Sequence, residues 1–245
     1  MTKLNPNGLV VYEGPSRLDN KPIVVVATGL KQNSTNAKTG AMIQTYILRQ
    51  DIAPAEAVKS GQDASICGNC VHRGDGTGKG RSCYVTLFHG PRGVYGAYSR
   101  GSYAKATLAQ IRKAVKDRMV RLGTYGDPAA VPLSIIRALT EDALGHTGYT
   151  HQWRTADQEY SKYCMASADS EQDMLEAHKL GYRTFRVTPN PHENIKGLEV
   201  VCPASEEAGR KTSCVDCRAC MGTSGKAKVS IQIAAHGVGK KYVTT

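Results

Sequence analysis

Aromatic residues are scarce in this chain of 245 residues: it has one Trp and two Phe, with twelve Tyr. A broad aromatic platform of the kind that stacks successive nucleic-acid bases is therefore not expected. No run of eighteen apolar residues occurs, which argues against a membrane-spanning helix and a membrane partner. The first residues, Met1-Thr2-Lys3-Leu4-Asn5-Pro6, lack the apolar stretch of a secretory signal, so the expected location is a reducing cytoplasm. In that setting clustered cysteines more often hold metal than pair into disulfides.

Cysteine is what the chain has in plenty. Seven of the eight cysteines fall into two groups. Cys214, Cys217 and Cys220 form C-x2-C-x2-C, a spacing poorly suited to bridges among its own members, and Cys202 lies upstream. Thiolates arranged this way can converge on a zinc ion or an iron–sulfur cluster such as [4Fe–4S]. His236, at the end of the last strand, is an alternative fourth ligand. The second group, Cys67 and Cys70 with Cys83 beyond a glycine-rich loop, supplies three thiolates. These suit either a cluster with one iron left open or a zinc completed by His72, His89 or Cys164. The loop itself (Gly74, Gly76, Gly78, Gly80) lacks the Lys-Ser/Thr ending of a phosphate-binding loop. Cys164, on an apolar strand, reads as core.

The net charge of +11 is uneven: residues 71–121 carry eleven Lys or Arg against Asp75 and Asp117, whereas residues 122–200 carry seven against eleven acids. Arg92, Arg100, Lys105, Arg112, Lys113 and Lys116 are candidate contacts for the phosphates of a nucleic acid or nucleotide.

Periodicity gives the fold class. Residues 1–60 read as a small β-rich segment, with strands at 23–27 and 42–49 around a polar tip at 31–40 and a short helix at 51–59. Residues 61–245 alternate strands (119–128, ending in a Gly-rich turn and an acid, then 147–153, 163–167, 183–188, 198–202, 229–234) with helices (107–118, 132–144 closed by Gly145, 170–180 opened by a Ser170/Asp173 capping box). Strands separated by single helices call for parallel pairing. The expectation is an α/β protein with an irregular or partial (β/α) barrel and cysteine-rich metal-binding loops. Functional side chains of such folds gather at the C-terminal strand ends, where Asp127, His151, Ser167, Asp169, Thr188 and Cys202 fall. Asp127 is a candidate general base or nucleophile and His151 a candidate proton carrier.

Several segments together resemble a family of small tailed-bacteriophage proteins of unknown function: Val11-Tyr12-Glu13-Gly14-Pro15-Ser16, Cys67 to Val85, Arg121 to Pro128, Gly148 to Trp153, Tyr163 to Ser167, Cys202 to Gly222, and His236-Gly237. The likeness spans nearly the whole chain and implies an infected host cell as the setting. The chain also looks distantly like phage proteins in which three cysteines ending in Cys-Tyr precede a partial barrel, an arrangement similar to radical S-adenosylmethionine enzymes. That likeness implies an iron–sulfur cluster on Cys67, Cys70 and Cys83, S-adenosylmethionine as cosubstrate, and modification of a nucleic-acid base. Two further readings remain open. One is a zinc-dependent base-exchanging transglycosylase using Cys214, Cys217, Cys220, His236 and Asp127. The other is a non-catalytic, zinc-stabilised nucleic-acid-binding protein.

Overall fold

The computed structural model describes residues 4–243; Met1, Thr2 and Lys3, part of the N-terminal stretch discussed above, lie outside them. The strands are β1 (Gly8–Pro15), β2 (Pro22–Thr28), β3 (Ile43–Arg49), β4 (Ala104–Lys105), β5 (Met119–Tyr125), β6 (Gly145–Thr147), β7 (Tyr149–Thr150), β8 (Met165–Ala168), β9 (Thr184–Thr188), β10 (Glu199–Val201) and β11 (Ser230–Ala234). The helices are α1 (Pro54–Lys59), α2 (Ala64–Cys67), α3 (Gly90–Ser99), α4 (Leu108–Val115), α5 (Leu133–Thr140), α6 (Glu171–Lys179) and α7 (Cys214–Cys217). Together they make a mixed α/β protein with two sheets, ordered β4-β1-β2-β3-β5-β6 and β10-β11-β9-β8-β7.

The β-branched run Ile23-Val24-Val25-Val26 is buried on both faces, as suits a strand in the middle of a sheet. β2 pairs antiparallel with β1 on one side and β3 on the other, so the expected hairpin with its long polar tip forms. From β3 onward the pairings change: β3 with β5 and β5 with β6 are parallel, as is every pairing of the second sheet. The division expected at residue 60 does not correspond to a break, because β3 of the N-terminal segment shares a ladder with β5. Ile43, Ile47, Val120 and Leu122 close one continuous core beneath it; a fully buried side chain of this size is worth about 1.5–3 kcal/mol.

Gly148 joins the sheets. It stands between β6, in the first sheet, and β7, in the second, and a Cβ there would lie 2.7 Å from the Tyr163 carbonyl oxygen and 2.9 Å from Cys164 Sγ. Only glycine lets the strand pass this close. Cys164 is fully buried at that contact, in keeping with its reading as core.

Local signals explain most of the helices. Thr107 and Gln110 form a complete capping box at the start of α4. At α6, Ser170 Oγ accepts from the Asp173 amide, but the Asp173 carboxylate accepts from the amide of Asp169 instead of returning to Ser170. α5 ends at Thr140, whose hydroxyl donates back to the Ile136 carbonyl, and Gly145 opens β6 rather than stopping the helix. Among the described residues, no helix is long and apolar enough to cross a membrane.

Candidate metal centres

The first centre is built where β5, β7 and β8 end. The loop that carries Cys67 and Cys70 is fastened to β5 by the Asp127 amide, which donates to the Ile66 carbonyl at 2.6 Å. Inside the loop, Arg73 donates to Asp63 Oδ1 at 2.7 Å and to the carbonyls of Gly68 and Gly61 at 2.8 and 2.9 Å. Gly68 has φ +58, and a Cβ there would fall 2.4 Å from the Gln152 side chain. That side chain in turn donates to the Cys67 carbonyl. The Cys83 amide donates to the His72 carbonyl at 3.0 Å, bringing the far side of the glycine-rich loop back to Cys70.

Three side chains from separate segments meet here: His72 from the turn Val71–Arg73, His151 just past β7 and Asp169 just past β8. His72 Nε2 lies 3.2 Å and His151 Nε2 3.5 Å from Asp169 Oδ1. The two imidazole rings stand edge to face, 5.4 Å between centroids. Cys70 Sγ is 3.8 Å from His151 Nε2, and Cys70 is close enough for its charge to be felt at both Cys67 and Cys83.

Electrostatics bind the group together. Burial disfavours the His151 imidazolium, but the Cys70 thiolate and the Asp169 carboxylate overcome it and raise the group well above its ordinary value. Burial likewise works against the Asp169 carboxylate, and His151 and His72 reverse that, holding it well below the usual carboxylate range. Burial, then the neighbouring Cys70 and Cys83, pushes the Cys67 thiol far up.

Asp127, the candidate general base, has both carboxylate oxygens engaged by backbone amides. Its Oδ1 accepts from the Ala129 amide at 2.9 Å, capping a short 3-10 turn, and its Oδ2 accepts from the His151 amide at 2.8 Å. The side chain is buried, and burial raises its pKa despite these bonds. The geometry makes it a positioning residue for His151.

The second centre lies over one face of the five-stranded sheet, not at its strand ends. Cys202, Cys214, Cys217 and Cys220 line one small cavity of about 30 Å³, floored by Tyr149, Phe185 and Ile231 and edged by Lys38. The four thiols arrive on three separately anchored stretches of backbone, Cys214 and Cys217 sharing α7. The Cys202 amide donates to Gln232, the Cys214 amide to the Lys38 carbonyl, and the Cys220 carbonyl accepts from Gly148. Arg183 clamps the carbonyls of Ala219 and Gly222 on either side of Cys220. Burial, then the mutual repulsion of the other three sulfurs, pushes Cys220 up to about 12. Among the described residues, no three of these sulfurs lie within 4.8 Å of one another. A tetrahedral zinc with bonds of 2.3 Å requires about 3.8 Å between its thiolates.

His236 does not line that cavity; its Nδ1 faces Glu207 Oε1 at 3.7 Å. The six basic candidates are all exposed. Lys105 is paired with Glu13, and Arg112 with Asp142 and Glu141. Arg92, Arg100, Lys113 and Lys116 make no ion pair among the described residues. Next to the first centre, Gly68 and Gln152 form one end of a groove whose charged lining residues are Arg17, Asp19 and Asp157, so the basic segment does not wall it.

The sequence placed Asp169 among the side chains at the strand ends and His72 among the residues that could complete a zinc site with the first cysteine group, but did not join the two. A signal existed for each: Asp169 directly follows a strand, and His72 follows Cys70 by two residues. Neither signal tells that the two side chains share a partner.

No family model, curated protein or solved structure matches the chain. What the centres do must be argued from their geometry.

Proposed function

We propose that this protein is an iron–sulfur enzyme acting on a nucleic acid or nucleotide. The observation that carries the reading is the convergence of Cys202, Cys214, Cys217 and Cys220 on one cavity. Four crowded thiols cannot all ionise in an apolar pocket unless a cation neutralises them, and sulfurs spaced too widely for a single zinc suit the larger body of a [4Fe–4S] cluster. When bound, such a cluster supplies one-electron redox chemistry. Lys38 and Arg183 provide positive charge and a fixed backbone around it. Cys67, Cys70 and Cys83 are the candidate ligands of a second cluster with one open iron, where S-adenosylmethionine would bind. The partial-barrel reading rests on two parallel runs, β3, β5, β6 in one sheet and β7, β8, β9, β11, β10 in the other, which Gly148 joins end to end.

The nucleic-acid part rests on separate features. Gly237 packs on Tyr84 and Gly239 on Arg81 and Ser82, which brings segment 237–242 against segment 81–88. Tyr84, Phe88 and Tyr242 in these two segments are 55%, 69% and 49% exposed, in a chain with few aromatics to spare. With Lys240 and Lys241 beside them they can stack a base and meet its phosphate. Base modification, in the phage-infected cell that the sequence resemblance implies, is the reaction class this reading favours.

Anaerobic purification followed by iron and acid-labile sulfide analysis tests the reading. About four irons per chain are expected if the four-cysteine cavity alone is filled, and about eight if both centres are. Zinc alone in a colourless, folded protein would sink it and favour the transglycosylase or the zinc-stabilised binding protein. The displacement of His236 from the cavity weighs against the first of these.

A further inference from the structure

The geometry points to a separate mononuclear site for a divalent transition metal, held by His72 Nε2, His151 Nε2 and Asp169 Oδ1, with its remaining coordination positions open to a ligand. It uses none of the cysteines and is independent of the four-cysteine cavity; because Cys70 Sγ lies 3.8 Å from His151 Nε2, it stands in place of a cluster on Cys67, Cys70 and Cys83, not beside one.

The three donor atoms lie within 4.8 Å of one another, and no other group of three His, Cys, Asp or Glu does so among the described residues. His72 Nε2 and His151 Nε2 stand 3.2 and 3.5 Å from Asp169 Oδ1. Adjacent donors around a metal with bonds near 2.1 Å fall about 3.0 Å apart in an octahedron and about 3.4 Å in a tetrahedron. The protein therefore holds each imidazole nitrogen at coordination spacing from the carboxylate oxygen. Two imidazoles and one carboxylate on one face are the donor set that leaves several positions free on a ferrous or similar ion.

The surroundings orient the donors. His72 Nδ1 is 2.8 Å from Ser82 Oγ. With Nδ1–H donating to that hydroxyl, the lone pair of Nε2 is left facing the site, which is the outer-shell arrangement that metal-ligating histidines use. The amide of His151 is held by Asp127 and that of Asp169 by Asp173, so each of the other two donors has its backbone fixed by a carboxylate. Access fits a reactive site better than a structural one. The side chains of His72, His151 and Asp169 remain 15%, 17% and 25% exposed, whereas structural metal sites are closed. A divalent ion on two neutral imidazoles and one carboxylate keeps a net positive charge, so an anionic oxygen of a substrate is the class of ligand expected in the open positions.

The competing arrangement has no metal: two imidazoles sharing one carboxylate oxygen through hydrogen bonds. Titration of the full chain, freed of loosely held metal by a chelator under anaerobic conditions, with Co2+ alone separates the two. One Co2+ per chain is expected, with weak ligand-field absorption and no thiolate-to-metal charge transfer. Asp169→Asn and His72→Gln should abolish it. Ser82→Ala, which keeps all three donors, should lower Co2+ affinity about 10- to 100-fold. Intense thiolate charge transfer insensitive to Asp169→Asn would overturn the proposal, as would no Co2+ binding by the folded chain. If Asp169→Asn does not fold, unchanged affinity in Ser82→Ala overturns it by itself. Iron and sulfide counts on the same samples report on the cysteine cavity, so failure of one reading is seen apart from failure of the other.

Discussion

At the scale of single residues, Asp127 shows how burial can redirect a carboxylate. Both of its oxygens accept from backbone amides that nothing else satisfies, those of Ala129 and His151. Asp127→Asn sets an amide group against one of those N–H donors, at a cost of about 1–3 kcal/mol; urea unfolding measures it, and the strand end bearing His151 should be the first region to lose hydrogen-exchange protection. His146 makes a second case. It is buried in β6 with Nε2 unpaired, and burial lowers its pKa from 6.5 to about 4 despite hydrogen bonds to the carbonyls of Tyr163 and Met221. The unfolded chain therefore takes up its proton first. Stability present above pH 6.5 is lost as the pH falls from 6.5 towards about 4, by up to about 3 kcal/mol. Unfolding followed across that window should show a shallower acid-side decline in His146→Gln.

At the scale of elements, the loop between α1 and α3 depends on one ion pair. Asp63 and Arg73 are 4% and 16% exposed at their side chains. Asp63→Ala leaves the guanidinium with only carbonyls for company, at a cost of about 3 kcal/mol, and trypsin should then cut within 73–81 well before the rest of the chain. The regular elements were legible in the sequence because period and caps decide them: β2, β3, β5, α4, α6, β9 and β11 lie where alternation, the capping residues and the apolar runs put them. α3 was not, since Gly90, Gly93 and Gly96 are poor helix formers and its seat against α1 and β3 is a tertiary matter. The grouping of cysteines was legible from spacing. The junction of His72, His151 and Asp169 was not, because three residues on separate segments meet only through strand order, and no local pattern encodes that order.

At the scale of the whole molecule, the sheets, the cysteine cavity and the histidine pair are parts of one object. On the proposed cluster reading, Cys217→Ser should lower the iron content and Tm together, while a change at the exposed rim should leave Tm alone. Phe88→Ala is such a change: it should weaken single-stranded DNA binding, measured by anisotropy, by about 1–3 kcal/mol if a base stacks there. Gly148 carries a larger consequence. Its amide donates to the Cys220 carbonyl, and three residues later the chain, having passed through β7, presents His151. Occupancy of the thiol pocket and the posture of the imidazole are thus geared through one short length of backbone. Filling either should stiffen the other, a cooperativity that Gly148→Ala, by wedging the hinge, should uncouple.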